Sequence, residues 1–489
     1  MQTEYPRASS DTPVQAPPRA LVVDLDDTLV STDTFMEQAL VVLKAKPMAI
    51  FRMLVGLAKG RAHLKALVAA HTPLALQELP YNDDVLDFLR HEKAAGRQII
   101  LATAADSGVA QTVADHLGIF DAVLSSTPGN NLKGPAKAAA IGDHLKETPF
   151  DYIGDSTADR PIWQAAGRAH VVAADTATAR KRAGDTKLEQ VFVRPGLPPR
   201  VFLKAMRVHQ WDKNVLVFVP LILSHTYDEP ARVWAALVAF LCLGLCASGT
   251  YLWNDLLDLA DDRAHATKRM RPLASGRMTI REGVLASVAL IGLGLGTALV
   301  LNGVVLMLGI SLYIALTLSY SLVIKRKMVA DVLLLAGLFL YRILLGGLAT
   351  GVVISDWLMA FSIFFFLSLG LAKRLTDLPP DSRNNPALIP GRGYRGTDAP
   401  VLAALGAGSA LSSIIILSLY INDSQVMMLY DTPQALWGIC LVLLYWVCRV
   451  WVLVYRGELP HDPIVFALKD KISRILGVII LLIVLFARF

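Results

Sequence analysis

Two groups of aspartates stand out by their spacing. The first, Asp24-Leu25-Asp26-Asp27-Thr28, directly follows the apolar run Leu21-Val22-Val23. In an extended chain, alternation points Asp24 and Asp26 to the same side, just beyond the carboxyl end of a strand, where open α/β sheets bind ligands. Two carboxylates held there repel each other unless a cation lies between them, and Mg²⁺ accepts oxygen ligands while leaving room for a substrate phosphate. Gly154-Asp155-Ser156-Thr157-Ala158-Asp159 offers further acidic groups after another apolar run. Thr103, which ends Ile99-Ile100-Leu101-Ala102, could hold a phosphoryl oxygen. Lys137, or alternatively Lys133, could neutralise its charge.

The second group is Asn254-Asp255-Leu256-Leu257-Asp258-Leu259-Ala260-Asp261-Asp262. On a continuous helix, Asn254 or Asp255, Asp258 and Asp262 fall at or near i, i+4 and i+8, which stacks their oxygens on one face. Repelling carboxylates at that spacing call for Mg²⁺ carrying a diphosphate. Thr267-Lys268-Arg269-Met270-Arg271-Pro272-Leu273 follows, and Lys268 and Arg271 are cations able to grip the same diphosphate. Further on, Tyr320 precedes Lys325-Arg326-Lys327, Arg342 lies inside an apolar stretch, and Lys373-Arg374 stands near Asp377.

These residues must be positioned by two kinds of structure. Of 489 residues, 54% are hydrophobic and 18% charged, with a mean hydropathy of +0.48, which excludes an ordinary soluble enzyme. From Leu21 to Ala174, short apolar runs (Leu21 to Val23, Ile99 to Leu101, Ala122 to Leu124, Phe150 to Ile153 and His170 to Ala173) alternate with helical patterns, as in a parallel α/β sheet. Residues 20–183 are read as this domain, with a helical cap over about 36–85. Within the cap, Met48 to Ala70 mixes apolar and basic residues, as an interfacial helix does, although the same face could pack on its own domain. Residues 1–19, rich in Pro, Ser and Thr, are expected to be disordered and show no secretory signal pattern. Residues 184–199, with Pro195, Pro198 and Pro199, read as a linker.

Residues 200–489 form the expected membrane part. Arg200, Lys204 and Arg207 suggest a basic surface helix. Apolar stretches then follow at about 214–227, 231–253, 283–301, 303–323, 328–351, 356–375, 400–421, 433–454 and 472–488, giving nine expected spans. The net charge of +6 comes from Lys and Arg clustered in alternate loops, so the basic partner is a membrane and not nucleic acid. Those loops hold Arg263 to Arg281, Lys325 to Lys327, Lys373 to Arg395 and Arg456 to Arg474. The positive-inside rule puts them in the cytoplasm of a cell with an inner membrane, together with the first domain, and leaves Phe489 outside. Cys242, Cys246, Cys440 and Cys448 lack metal-site spacing and read as small membrane residues. The chain is compatible with a homo-oligomer.

The motifs DxDxT, Thr103, the lysine and GDxxxD, in order over residues 21–160, resemble those of the haloacid-dehalogenase-like (HAD) phosphatases. That resemblance implies a Rossmann-like fold with Asp24 as nucleophile and Asp26 as general acid and then base. It further implies that Thr28 and Thr103 orient phosphate and that Asp24, Asp155 and Asp159 hold Mg²⁺.

The NDxxDxxxD box with its KRMRPLASG tail resembles the UbiA superfamily of membrane prenyltransferases over roughly residues 200–489. The second acidic motif of that superfamily is missing after the fourth span, where Tyr320 to Lys327 stands with only Asp331 beyond. This basic second site resembles the branch that transfers 5-phosphoribose from phosphoribosyl diphosphate to a polyprenyl phosphate. Sugar diphosphate, ribose phosphate and lipid phosphate together call for Lys and Arg, and the resemblance assigns Tyr320, Lys325, Arg326, Arg342, Lys373 and Arg374 to binding them. A phosphatase on the same chain would remove the ribose 5-phosphate from the lipid product. The rival expectations are an aromatic prenyltransferase with a regulatory first domain, and a phosphatase acting on an unrelated phosphoester.

Overall fold

The structure is a computed structural model that describes residues 19–46, 48–49, 53, 61–69, 76–127, 129–146, 148–194, 196–378, 393–459 and 463–488. Most of the expected N-terminal tail, much of the stretch Met48 to Ala70, and Pro195, Arg383, Arg392 and Phe489 of the basic and terminal segments lie outside them. The chain divides into two compact units, Met1–Ala205 with Asp255–Val284, and Met206–Asn254 with Leu285–Phe489.

In the first unit, six strands form one parallel sheet: β1 (Ala20–Val23), β2 (Ile99–Asp106), β3 (Ala122–Ser126), β4 (Phe150–Gly154), β5 (Arg168–Ala173) and β6 (Leu188–Val193). Their spatial order is β3-β2-β1-β4-β5-β6. β1 is therefore central, with Leu21 in register with Ile99 on one side and Asp151 on the other. The order reverses between β1 and β4, which opens a crevice at their carboxyl ends. All four β1 residues are buried, because alternate side chains enter apolar layers on both faces. Leu21, Val23, Ile99 and Leu101 pack with Val109 and Val113, and Val22, Ile100 and Tyr152 pack with Ile141 and Trp163. The five apolar runs expected to be strands form β1 to β5.

Residues 184–199 are not a plain linker, since they contain β6, paired to β5 from Ala169↔Leu188 to Ala173↔Val193. Only Phe192 of this edge strand is fully buried, so its sequence carries too few apolar residues to read as a sheet member. Glu37, Lys65 and Lys137 are carried by three helices of this unit, respectively α1 (Thr34–Ala45), α2 (Arg61–Ala69) and α3 (Pro135–Leu145). Asp33 caps α1 by accepting the Met36 N–H. After α4 (Thr176–Ala183) and β6, a short helix Pro199–Ala205 ends before Arg207, whose φ of 51° lies in the left-handed region. The expected basic helix through Arg207 therefore does not form.

The second unit is all helical. Its long helices are α5 (Pro230–Leu257, the last three residues of which belong to the first unit), α7 (Ile280–Asn302, the first five residues of which belong to the first unit), α8 (Val304–Leu322), α9 (Ala330–Thr350), α10 (Asp356–Thr376), α11 (Ala399–Ile421) and α12 (Trp437–Arg456). The short α6 (Leu259–Ala264) precedes α7 in the first unit. Among the described residues seven helices are long and apolar enough to cross a membrane, which makes this a polytopic membrane protein but corrects the expected nine spans. The first expected stretch is divided into a 3₁₀ helix over Val208–Phe218 and the short helix Val219–Leu223, with Pro220 in its first turn. The last, α13 (Lys471–Arg488), has 18 residues and carries Lys471, Arg474 and Arg488, against about 20 apolar residues for a span.

Two apolar clusters hold the helices together. One joins Val332, Phe339, Phe366, Leu369, Leu402 and Trp446; the other joins Val238, Cys242, Cys246, Ile310, Tyr313 and Leu345. Gly294 permits close approach, since a Cβ there would lie 2.5 Å from Cys246 Sγ, whereas Gly292 and Gly296 meet nothing within 4 Å.

In the first unit His170, on β5, is buried with neither ring nitrogen hydrogen-bonded, and burial lowers its pKa below the usual imidazole range. The unfolded chain then takes up this proton more readily, so the stabilisation is intact above about pH 6.5 and is lost as the pH falls towards the lowered value. Melting of the full protein at pH 7.5 and pH 5.5 (test conditions of about that range) should show a loss that His170→Phe reduces. An identical acid loss in that variant would count against this assignment.

Candidate active sites

The loop after β1 and the loop after β4 meet at the crevice. Asp24, Asp155 and Asp159 each present a carboxylate oxygen within 4.8 Å of the others. Asp24 is fixed by the Leu25 N–H on Oδ1 at 2.8 Å and by Lys137 Nζ on Oδ2 at 2.9 Å. Lys137, from the first turn of α3, is itself buried and donates to the Tyr152 hydroxyl at 3.1 Å. Tyr152 in turn donates to Asp159 Oδ1 at 3.1 Å, and Asp159 Oδ2 accepts the Ser156 N–H. Thr28 Oγ1 donates to Asp155 Oδ1 at 3.4 Å. Thr103 is buried at the end of the apolar part of β2, where its hydroxyl accepts the Ala105 N–H at 3.0 Å.

Burial raises the pKa of Asp24 against the pull of Lys137. Burial followed by the charges of Asp24 and Asp159 pushes Asp155 well up. Three carboxylates so placed repel one another beside a single ammonium, and oxygen donors of this kind suit a hard divalent cation. Asp26 is not one of the three. Its Oδ1 accepts the Thr34 N–H at 2.8 Å, and burial, with the Asp33 charge next, raises its pKa to about 7. Expected as a ligand by alternation along a strand, it lies beyond the end of β1, in a loop where Asp27 has φ 57° and the alternation no longer holds. Of the two candidate lysines, Lys137 meets Asp24, while Lys133 is exposed.

The second acidic group does not lie on one continuous helix. α5 ends at Leu257, Asp258 leaves helical geometry at φ −103°, ψ 17°, and α6 starts at Leu259. The break separates partners. Arg271 Nη1 bonds Asp255 Oδ1 at 3.1 Å and Asp262 Oδ2 at 2.5 Å, while Asp258 Oδ1 meets Lys44 Nζ at 2.7 Å. Asp262 is raised by burial against the Arg271 charge. Asn254 Oδ1 is buried and accepts no hydrogen bond, which fits an oxygen donor to a cation. Lys268 is exposed on a single 3₁₀ turn.

Within the second unit, Arg374 on α10 is 2% exposed and Asp331 on α9 is 0% exposed. Arg374 Nε bonds Asp331 Oδ2 at 2.5 Å, Nη1 bonds Asp377 Oδ2 at 2.8 Å, and Nη2 bonds the Tyr320 hydroxyl at 2.7 Å. The Tyr394 hydroxyl completes Asp331 at 2.6 Å. Arg342 lies in a different cluster, donating to Asn214 Oδ1 at 3.1 Å and to the Tyr313 hydroxyl at 2.7 Å, with its guanidinium over the Tyr313 and Phe339 rings. Lys325 and Lys373 are half-buried and Arg326 is exposed. Reasoning from sequence missed Tyr313, inside an apolar run, Asn214, after Asp212-Lys213, and Tyr394, between Gly393 and Arg395, none of which is marked by a motif. It also missed Lys65 of α2, whose Nζ reaches the Ala104 carbonyl at 2.5 Å.

Residues 215–472 match the UbiA prenyltransferase family. The chain is 39% identical over 462 residues to the Sinorhizobium fredii protein y4nM, covering 94% of this chain and 89% of that one. It is 32% identical over 282 residues to the nodulation protein NoeC of Azorhizobium caulinodans, 57% of this chain and 90% of that one. It is also 28% identical over 285 residues to the decaprenyl-phosphate phosphoribosyltransferase of Mycolicibacterium smegmatis, 56% of this chain and 88% of that one.

The Arg374 cluster predicts a stability effect. Asp331→Ala leaves a buried guanidinium short of its main counter-charge, at a cost of about 3–5 kcal/mol. Thermal unfolding of the purified full chain in detergent should show a melting temperature lowered by many degrees; a melting curve superimposable on the wild type would remove the pair from any account of stability.

Proposed function

The chain belongs to the UbiA prenyltransferase family, and on that premise we propose that it transfers 5-phosphoribose from phosphoribosyl diphosphate to a polyprenyl phosphate and then removes the 5-phosphate. The observation that carries the transfer reading is that Asp331 and Asp377 are both engaged by Arg374. Asp331, the carboxylate nearest in sequence to the missing second acidic motif, is thus committed to a guanidinium, as is Asp377 beside Arg374 on the same helix end. A lipid diphosphate would need them for a second metal, whereas a sugar diphosphate with an anionic lipid acceptor needs cations there. Similarity to a decaprenyl-phosphate phosphoribosyltransferase supports the same choice.

In this reading Lys268 and Arg271 hold the diphosphate. Lys325, Arg326, Lys373 and Arg342 hold the phosphates of sugar and lipid, and Arg374 positions Tyr320. Bound Mg²⁺, with Asn254, Asp255, Asp258 and Asp262 as ligands for transfer and Asp24, Asp155 and Asp159 for hydrolysis, would neutralise phosphate charge. The acceptor phosphate is already a nucleophile, so positioning and screening of charge at ribose C1 supply most of the catalysis.

The first unit acts in this reading as a HAD-type phosphatase. An oxygen of Asp24 attacks the 5-phosphoryl phosphorus, the P–O5′ bond breaks, and Asp26 gives its proton to the departing O5′. With a pKa of about 7, Asp26 carries that proton in much of the population at neutral pH. Water then attacks the aspartyl-phosphate, Asp26 takes the water proton, and inorganic phosphate leaves with Asp24 restored. Thr28 and Thr103 orient the phosphoryl oxygens, and Lys137 screens the charge.

The test is to supply the purified chain with Mg²⁺, a polyprenyl phosphate and phosphoribosyl diphosphate and to weigh the lipid product. Asp24→Asn should accumulate the 5-phosphorylated lipid with transfer intact. Asp255→Asn and Asp258→Asn should each lose transfer by orders of magnitude. Prenylation of an aromatic acid with no ribose reaching the lipid would overturn the transfer reading. Orientation is tested separately: with the basic loops in the cytoplasm, a label near Asn422 should react from outside the cell, and labelling only after permeabilisation would reverse the topology.

A further inference from the structure

The first unit holds a cavity of about 310 Å³ that reaches the aspartate triad through Asp155. Four arginines line it. Arg182 comes from the end of α4 and Arg194 from the residue after β6, whereas Arg277 and Arg281 come from the segment that follows the second acidic group. That segment approaches closely: a Cβ on Gly276, at φ +70°, would lie 2.9 Å from Ser31 Cβ. Arg194 Nη2 ties the two backbones by bonding the carbonyls of Ser31 at 3.0 Å and Gly276 at 3.4 Å.

With Asp155 assigned to the triad, the lining sets four guanidinium groups against the three carboxylates of Asp27, Asp33 and Glu282. Those carboxylates have local partners. Asp27 takes Arg194 Nη1 at 2.9 Å, Asp33 caps α1, and Glu282 accepts the Thr279 N–H at 2.8 Å at the start of α7. Arg182 and Arg277 bond only neutral acceptors among the described residues: the carbonyl of Val172 at 2.9 Å for the first, the carbonyl of Met270 at 2.7 Å and the hydroxyl of Ser275 at 3.1 Å for the second. Guanidinium groups that keep donors free beside a phosphoryl-transfer site are suited to a second phosphate. The volume is at the small end of ligand pockets, about 300–1,000 Å³, enough for a sugar phosphate and too small for a polyprenyl chain.

We propose that this cavity binds a phosphate on ribose C1 while the 5-phosphate lies at Asp24, so that the substrate class is a ribose 5-phosphate bearing a second phosphate at C1. The proposal rests on the phosphatase reading above and adds its specificity. It gives Arg277 and Arg281 a role in hydrolysis, although they follow the acidic box of the transferase in sequence, and so gives a physical reason for the two activities to share a chain. The second phosphate could belong to a lipid phosphodiester or to a free sugar bisphosphate, which offer the same group to the arginines.

Phosphate release by the full-length protein with Mg²⁺ is measured on three substrates: a short-chain prenyl-phosphoryl 5-phosphoribose, ribose 1,5-bisphosphate and ribose 5-phosphate. In Arg277→Gln and Arg281→Gln, kcat/KM should fall about tenfold or more on the substrate or substrates carrying a C1 phosphate. Hydrolysis of ribose 5-phosphate should be unchanged, and its retention shows that the variants fold. A loss confined to the prenyl substrate assigns the pocket to the lipid product, and a loss on the bisphosphate as well assigns it to the phosphate itself; both support the proposal. Equal loss on all three substrates, or no loss on any, overturns the pocket while leaving the phosphatase reading intact. A wild-type protein that releases phosphate from none of them overturns both.

Discussion

Like charges held close together govern this structure. In the first unit three carboxylates lie within 4.8 Å of one another, and mutual repulsion adds to burial in raising Asp24 and Asp155. The rest of the crevice is arranged to make that tolerable. The central strand ends just before Asp24, β4 ends just before Asp155, and the first turn of α3 carries a buried lysine that touches Asp24 at 2.9 Å and Asp159 at 3.8 Å. A sheet whose strand order reverses between β1 and β4 is what brings two such loops to one place. The same electrostatic constraint recurs from the last turn of α5 onward, where one guanidinium serves both Asp255 and Asp262.

How far sequence exposed these arrangements depended on whether a residue's partners were local. β1 to β5 were legible because they are buried on both faces and so read as apolar runs. β6 was not, since as an edge strand it shows five of its six side chains at least partly to solvent, Glu189 and Gln190 among them. Asp24, Asp155 and Asp159 were legible as motifs. Asp26 was expected as a ligand because strand alternation was carried three residues past Val23, where β1 ends. The second acidic group was legible as a set, but not its break at Asp258, because nothing in an Asp-Leu-Ala-Asp-Asp run marks a helix end. Arg374 was expected to meet phosphates. Its engagement by Asp331, 43 residues away, depends on how α9 and α10 pack, and no local pattern announces that.

Segment 255–284 has no sheet of its own, and its shape is set by a few strong contacts. Arg263 Nη2 and Nη1 grip Glu37 of α1 at 2.6 and 3.0 Å, with both side chains less than 10% exposed. A bidentate pair of this kind fixes orientation as well as distance. Once desolvated, either charge alone would be costly, so the pair holds register more than it adds net stability. Thr32 adds a hydroxyl to the same Glu37 oxygen at 2.6 Å. Glu37 thereby accepts from three donors, two of them on Arg263, and cannot easily turn away.

That fixation limits how the chain can vary. Lys44, seven residues beyond Glu37 on α1 and hence on the same face, reaches Asp258 at 2.7 Å and Asp261 at 2.6 Å. One helix of the first unit therefore makes both the buried pair and the contact to a residue of the acidic box. A change of helical phase in α1 between residues 37 and 44 would separate the two contacts by a rotation of about 100° per residue. The spacing of Glu37 and Lys44 is thus constrained by residues more than 200 positions away. The similarity to y4nM, which spans 94% of this chain, means that the sequences on both sides of that constraint occur together in a second protein. An isolated membrane transferase would not need Glu37 or Lys44; in this chain the acidic box is shaped in part by the helix that follows the Asp24 loop.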